Sequence, residues 1–227
     1  MAYSKRIREL CSLLCTTDTF ADVGCDHGYC TEYMLKHGLC EHAWFSDVSK
    51  GSLAKAEALL GEYVLAGKAT AVLGDGFFGV PASVGLVLIA GMGGSEIVSI
   101  LSHKEHGFMP KRFVFQPMHD SEKLRRYILE NGGYIERDYT FEDGKFYDVL
   151  VGRKRREGDP KNNYSALDYE FGQENIKTKP QAFCKKIRKL LRGVEEYLSG
   201  ERLQEESKQE LRTRKTKLQG VLQSEIK

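Results

Sequence analysis

The sequence predicts an α/β domain built on a seven-stranded, mostly parallel sheet whose last strand runs antiparallel, followed by an α-helical coiled-coil hairpin. Three observations lead there. Over the N-terminal two-thirds of the chain, short apolar runs alternate with segments of helical spacing. Two strand-like runs separated only by a tight turn come next. The chain then finishes in two long amphipathic patterns rich in basic residues. A length of 227 residues holds one α/β domain of roughly 150 residues and a smaller appendage. The expected division is 1–155 and 156–227.

Taken in order, Phe20–Gly24, Ala43–Asp47, Ala69–Gly74, Val84–Ala90 and Phe113–Gln116 are the expected parallel strands. Each ends in a turn signal, and most lead into apolar residues spaced three and four apart. Crossovers of that length imply parallel pairing with helices on both faces. After Asn131-Gly132-Gly133, the runs Tyr134–Phe141 and Phe146–Gly152 are joined by Glu142-Asp143-Gly144-Lys145. Asp-Gly between such runs signals a hairpin. A sheet closed by an antiparallel pair does not fit an ordinary NAD-binding domain, whose last strand is parallel. Arg153–Pro180, with Pro160, two asparagines and mixed charge, has the composition of a linker with one short helix. Phe183, Ile187, Leu190, Leu191, Val194 and Leu198 then recur at helical steps, and Ser199-Gly200 breaks the run. Leu203, Leu211, Leu218 and Leu222 continue in a sparse, near-heptad seam, which predicts an antiparallel coiled-coil hairpin.

Composition narrows the function classes. No segment approaches the ~18 uninterrupted apolar residues of a membrane span. The basic N-terminal residues Lys5 and Arg6 are not followed by an apolar stretch, so a secretory signal is not expected and a cytoplasmic location is. Six cysteines (Cys11, Cys15, Cys25, Cys30, Cys40 and Cys184) form no Cys-x-x-Cys pair and no zinc-finger spacing. They are expected as buried thiols, with no metal. Charge is uneven: residues 1–152 carry 15 Lys and Arg against 20 Asp and Glu, and residues 153–227 carry 19 against 12. A mildly acidic domain joined to a basic appendage points to a polyanionic partner.

The first strand runs into Asp22-Val23-Gly24-Cys25-Asp26-His27-Gly28-Tyr29. Glycines at a strand-to-helix turn let a ligand approach the backbone. The spacing is Gly-x-x-x-Gly, so the dinucleotide fingerprint is not met. Asp22, two residues before Gly24, would repel a pyrophosphate yet suits an ammonium group such as the methionyl end of S-adenosylmethionine. The second strand ends at Asp47, where a carboxylate accepts hydrogen bonds from ribose hydroxyls. The third ends in Gly74-Asp75-Gly76-Phe77, with Asp75 placed for an adenine amino group and Phe77 for packing on the ring. Three acids at successive strand ends describe a site for a nucleoside with a cationic tail. The fourth strand ends in Ala90-Gly91-Met92-Gly93-Gly94, whose glycines let the chain pass close to something crowded. It lacks the Asn/Asp-Pro-Pro-aromatic sequence by which many amino-methylating enzymes hold a nitrogen.

Those motifs, with Gln116-Pro117-Met118 and Gly144-Lys145-Phe146-Tyr147, make the chain resemble the bacterial tRNA (adenine-22-N1)-methyltransferase family, often called TrmK. The resemblance implies a class I methyltransferase (Rossmann-like) fold, S-adenosylmethionine as donor, and methylation of adenine N1 in the D-arm region of tRNA. It places Asp22, Gly24, Asp26, His27, Gly28, Asp47, Asp75, Gly76, Gly91 and Met92 around the donor. Cys25 departs from the family's serine and keeps that position small. Neutral adenine N1 has its own lone pair, so the enzyme mainly aligns donor and acceptor, and no general base is required. His27, Tyr29, Gly91, Met92 and Gln116 are the candidates for contacting the base, with His27 also orienting the donor. For tRNA phosphates the candidates are Lys185, Lys186, Arg188, Lys189 and Arg192 on one helix of the hairpin. Arg212, Arg214, Lys215 and Lys217 on the other join Lys5, Arg6 and Arg8 near the N-terminus. A monomer is expected. The rival readings are a methyltransferase of small molecules or proteins, since fold alone does not choose the substrate, and a non-catalytic RNA-binding protein with a vestigial nucleoside pocket.

Overall fold

The computed structural model describes residues 3–161, 163–200 and 204–223. Its sheet comprises β1 (Thr19–Val23), β2 (His42–Asp47), β3 (Ala69–Leu73), β4 (Leu86–Met92), β5 (Arg112–Pro117), β6 (Gly133–Asp143) and β7 (Lys145–Lys154). Their spatial order is β3-β2-β1-β4-β5-β7-β6, with β7 antiparallel to both β5 and β6. This is the class I methyltransferase arrangement expected above, and the strand bounds move by no more than three residues. The largest extension is at the hairpin, where only Gly144 separates β6 from β7.

The apolar runs are continuous because both faces of the sheet are covered. Leu86 and Leu88 of β4 and Val114 of β5 point to one side, into a core shared with α1 (Lys5–Leu13), α2 (Tyr29–Lys36) and α3 (Lys50–Leu65). Val87, Ile89, Phe113 and Phe115 point to the other, against α4 (Gly94–Leu101) and α5 (Ser121–Glu130). Alternation along each strand thus feeds two cores, the pattern of a parallel sheet buried on both sides. Local signals set the helix starts. Ser4 Oγ accepts from Ile7 N to cap α1, and Ser49 Oγ accepts from Ser52 N to cap α3.

The segment expected as a linker with one helix carries two, α6 (Ala166–Phe171) and α7 (Gln173–Thr178), both packed on the domain. The reason is Arg125 of α5, which is fully buried. It holds Asp138 through Nε (2.8 Å) and donates from Nη1 to the carbonyls of Tyr169 and Glu170. Asn175 of α7, also buried, donates to Thr140 Oγ1 at 2.9 Å. A buried guanidinium paired this way is expensive to uncouple, so it pins the segment.

Helices α8 (Gln181–Leu198) and α9 (Glu205–Gln223) pack antiparallel. Their seam joins Phe183 and Ile187 to Leu218 and Val221. Leu190, expected in the seam, is 39% exposed, and Leu203 lies outside the described residues. The hairpin docks through Lys186, whose Nζ meets Asp148 Oδ1 at 2.6 Å. Burial pushes the Asp148 carboxyl up, yet Lys186 and Arg125 overcome this and hold it at about 2. Among the described residues no helix is long and apolar enough to cross a membrane.

Candidate functional site

A parallel sheet brings the carboxyl ends of its strands to one edge, and there β1 to β4 open into a cleft of about 630 Å³. Of the residues expected around the donor, Gly24, Asp26, Asp47, Asp75, Gly76, Gly91 and Met92 line it. Asp47 Oδ2 accepts from Asp26 N at 3.2 Å and its Oδ1 from Ser49 N at 2.8 Å, so one carboxylate sets both the first loop and the cap of α3. Gly24 and Cys25 donate their N–H groups to the Ser46 carbonyl, folding the same loop over β2. Ser46 lines the cleft, and its Oγ is buried with no hydrogen-bond partner among the described residues.

Asp22 stands apart. It lines a narrower recess of about 70 Å³ behind Gly24, shared with His27 and Tyr29. Its Oδ2 accepts from Thr31 Oγ1 at 2.9 Å. Burial raises its carboxyl to about 6 against the pull of the Thr31 hydrogen bonds, and Asp47 adds to the rise. His27 Nδ1 lies 2.8 Å from Asp26 Oδ2 and its ring stacks on Tyr29 at 5.4 Å.

The glycines divide by role. At Gly24, with φ at +74°, a Cβ would collide with Met92 Cε, so that glycine makes room for Met92 across the site. Gly28 starts α2, and a Cβ there would press on Ala56 and Leu60 at 3.1 Å; it serves helix packing and lies outside the cleft lining. The run at the end of β4 is only in part a ligand approach. Gly91 lines the cleft at a bulge that resets the register of Met92. Gly93 instead accommodates the His119 ring and Gly94 the Asp120 carbonyl, where the chain leaving β5 crosses.

Two expectations change, and one residue is added. Phe77 does line the cleft, yet it is 2% exposed and stacks on Phe108 at 4.1 Å, so it does so as part of the core. Val48, which the sequence reading passed over, lies 69% exposed at the cleft; an apolar residue directly after a strand-end acid was the available signal. Gln116 is fully buried, and its amide accepts from Arg6 Nε at 2.7 Å and donates to the Pro117 carbonyl at 3.0 Å. It therefore orients Arg6 and faces no open space.

The basic residues also divide. Lys185 pairs with Glu142, Lys186 with Asp148, Lys215 with Glu195, and both Arg214 and Lys217 with Glu170. Arg8 donates to the Tyr3 carbonyl at 2.7 Å. Arg6 lies in the cleft wall. Lys5, Arg188, Lys189, Arg192 and Arg212 are exposed and form no ion pair among the described residues.

With this geometry in hand, the comparison with known families is decisive: the family model described as TrmK, tRNA (adenine(22)-N(1))-methyltransferase, matches residues 20–223. The chain belongs to the TrmK family. Sp1610 of Streptococcus pneumoniae, solved in complex with S-adenosyl-L-methionine, superposes with a TM-score of 0.84 at 25% identity, covering 97% of this chain and 100% of that one. The M1A22 tRNA methyltransferase TrmK of B. subtilis gives 0.82 at 23% identity over 97% and 99%, a likeness of fold. A Mycoplasma genitalium relative, named by inference as a tRNA methyltransferase, is 33% identical over 140 residues, 59% of this chain. The match spans 61% of that relative's length.

Proposed function

We propose that this TrmK-family chain methylates N1 of adenine 22 in the D-arm region of tRNA, with S-adenosylmethionine as donor. The observation that carries the reading is the cleft itself. Carboxylates stand at the ends of β1, β2 and β3, in the order that suits an ammonium, a ribose and an adenine amino group. Family membership and the donor complex of Sp1610 support the choice of nucleoside.

Bound there, S-adenosylmethionine supplies an electrophilic methyl group on a sulfonium. Asp22 would take the ammonium, Asp47 the ribose hydroxyls and Asp75 the adenine amino group. Gly24, Asp26, His27 and Gly76 shape the walls around them. Gly91 and Met92 face the open side, where the target base would enter after extrusion from the RNA stack. Alignment is the main service, because adenine N1 needs no deprotonation. Tyr29, stacked on His27, and Met92 are the side chains best placed to touch the base. The exposed cations Arg188, Lys189 and Arg192 of α8, with Arg212 and Lys5, are the part of the basic surface open to phosphates. Lys185, Lys186, Arg214 and Lys217 hold the hairpin on the domain, and Lys215 pairs within the hairpin.

In this reading residues 1–155 catalyse, residues 156–227 dock and present charge, and the chain works as a cytoplasmic monomer. The test is to incubate the protein with unmodified tRNA and labelled S-adenosylmethionine, then digest to nucleosides for mass spectrometry. A 1-methyladenosine product that disappears in Asp22→Ala is expected. Donor binding without any methylated nucleoside would overturn the tRNA assignment.

A further inference from the structure

The strand ends on the open side of the cleft carry an exposed histidine that the reading so far does not use. β4 and β5 leave the sheet side by side there. Met92 is level with Pro117, Met118 N donates to the Met92 carbonyl at 2.8 Å, and Gly94 N donates to the His119 carbonyl at 2.8 Å. His119 is thereby fixed beside the Met92–Gly94 turn. Its ring covers Gly93, with Nε2 2.9 Å from where a Cβ on that glycine would stand. The side chain is 69% exposed, and Met118 next to it is exposed as well.

Asp120 holds this ring. Its Oδ2 lies 3.2 Å from His119 Nδ1 and accepts from Ser95 Oγ at 2.9 Å, while its Oδ1 lies 3.7 Å from Lys123 Nζ. The hydrogen bond from Ser95, then that from His119, hold the carboxyl below its usual range. It is therefore ionised at neutral pH and can only accept. Nδ1 must carry the proton between them, which leaves Nε2 of the neutral ring as a lone-pair acceptor. Nε2 has no hydrogen-bond partner among the described residues. Asp120 serves this pair at the expense of its own helix. It is the N-cap of α5, where an aspartate ordinarily accepts from the first turn, yet its side chain makes no capping bond. Its backbone also stands at φ +55°, in the left-handed region.

We propose that His119 reads the target base, its neutral Nε2 accepting a hydrogen bond from the 6-amino group of adenine, with Asp120 as the residue that positions the ring. The inference rests on the proposed methylation of adenine N1, and it adds a polar contact to those of Tyr29 and Met92. In the transfer N1 bonds to the methyl carbon as the carbon–sulfur bond breaks. The sulfur keeps that electron pair, and the positive charge passes to the purine, where N6 shares it. The 6-amino N–H becomes a stronger donor as this happens, so an acceptor there stabilises the transition state more than the ground state. A neutral imidazole does this without setting a counter-charge beside the sulfonium. It also discriminates, because guanine has a carbonyl oxygen where adenine has the amino group, and two acceptors would face each other.

The test is a coupling cycle between enzyme and substrate. Single-turnover methylation is measured for the unmodified protein and for His119→Ala, on tRNA with either adenine or purine, which lacks the 6-amino group, at the target position. On adenine tRNA, His119→Ala should slow transfer about tenfold, as expected for one hydrogen bond that strengthens in the transition state. Removing the amino group should then cost the variant about tenfold less than it costs the unmodified protein. Calorimetric affinity for S-adenosylhomocysteine should stay within about twofold, which shows that the variant folds with an intact cleft. Asp120→Asn keeps a residue that tolerates the left-handed backbone and removes the charge that fixes the ring proton. It should lower kcat several-fold with little change in KM for tRNA, and with a smaller penalty for purine. Equal amino-group penalties in the unmodified protein and His119→Ala would overturn the proposal. An unchanged transfer rate with a raised KM for tRNA would also overturn it, in favour of a phosphate contact. If the unmodified protein methylates no adenine in tRNA, the proposed function falls first, and the base contact with it.

Discussion

Asp22 should make donor binding depend on pH in a way that can be worked from its surroundings. The carboxyl is 5% exposed, and burial lifts it from 3.8 to about 6. Below that pH it is neutral in the empty site and offers no charge to an ammonium. Apparent affinity then falls with the ionised fraction, which is about one-tenth at about pH 5. S-adenosylhomocysteine should therefore bind about tenfold more weakly at about pH 5 than at about pH 7.5, a difference of about 1.4 kcal/mol. The same group bears on stability. A carboxyl with a raised folded value takes up its proton earlier in the folded state, so its favourable contribution is complete below the unfolded value. That contribution is lost as pH rises through about 6, and the whole change is about 3 kcal/mol. Asp22→Asn removes the titration. The empty variant should be more resistant to urea than the unmodified protein at about pH 7.5, while binding S-adenosylhomocysteine weakly and without a pH slope. Titration calorimetry and urea denaturation at several pH values read both effects. A flat affinity between about pH 5 and about pH 8, or a slope that survives in Asp22→Asn, would refute the reasoning.

Other perturbations test the rest of the framework. Reversing Arg188 and Lys189 to Glu should raise KM for tRNA several-fold with little change in kcat, and steady-state kinetics at two salt concentrations should show a shallower salt dependence. Arg125→Leu leaves Asp138 buried without its main partner and should cost about 3–5 kcal/mol in urea denaturation. Burial already pushes the Asp138 carboxyl up, and the variant would push it further, so the deficit should shrink as pH falls and the group takes up its proton.

The sheet was legible because its signals are local. A strand covered on both faces must be apolar at nearly every position, and Leu86-Val87-Leu88-Ile89 advertises this between two turn signals. The acids Asp22, Asp47 and Asp75 were legible for a related reason, since parallel strands deliver their final residues to one edge. What escaped was whatever depends on a partner distant in sequence. Lys186 is indistinguishable from Lys185 and Lys189 within a basic helix, yet its partner Asp148 lies 38 residues away and is buried. Arg6 has the spacing of a surface cation, and only the 110-residue contact with Gln116 draws it inward. Gln116 was a candidate base contact through its place in the Gln116-Pro117-Met118 motif, and only the fold shows that it is fully buried against Arg6. Gly93 and Gly94 show the same limit: a glycine run signals close approach without saying whether a ligand or the chain itself approaches.

The distribution of charge around the cleft fits the proposed reaction more closely than acidity alone would suggest. Transfer from a cationic donor to a neutral base moves a positive charge and creates none, so dispersing it needs no strong counter-charge at the point of transfer. A carboxylate there would favour the concentrated charge of the ground state over the spread charge of the transition state. The side chain that the end of β4 adds to the cleft lining is the thioether of Met92, next to the backbone of Gly91. The nearest acid in sequence, Glu96, is committed to the Gly93 N–H at 2.6 Å, where it caps α4. Asp22, Asp47 and Asp75 instead sit at the ends of the other strands, where they can hold an ammonium, a ribose and an adenine whose charges do not change during transfer. The fold thus separates binding charge from reacting charge. Among the described residues Arg6 is the one Lys or Arg that lines either cavity, and in the recess it shares the walls with Asp22 and Asp26, away from Met92.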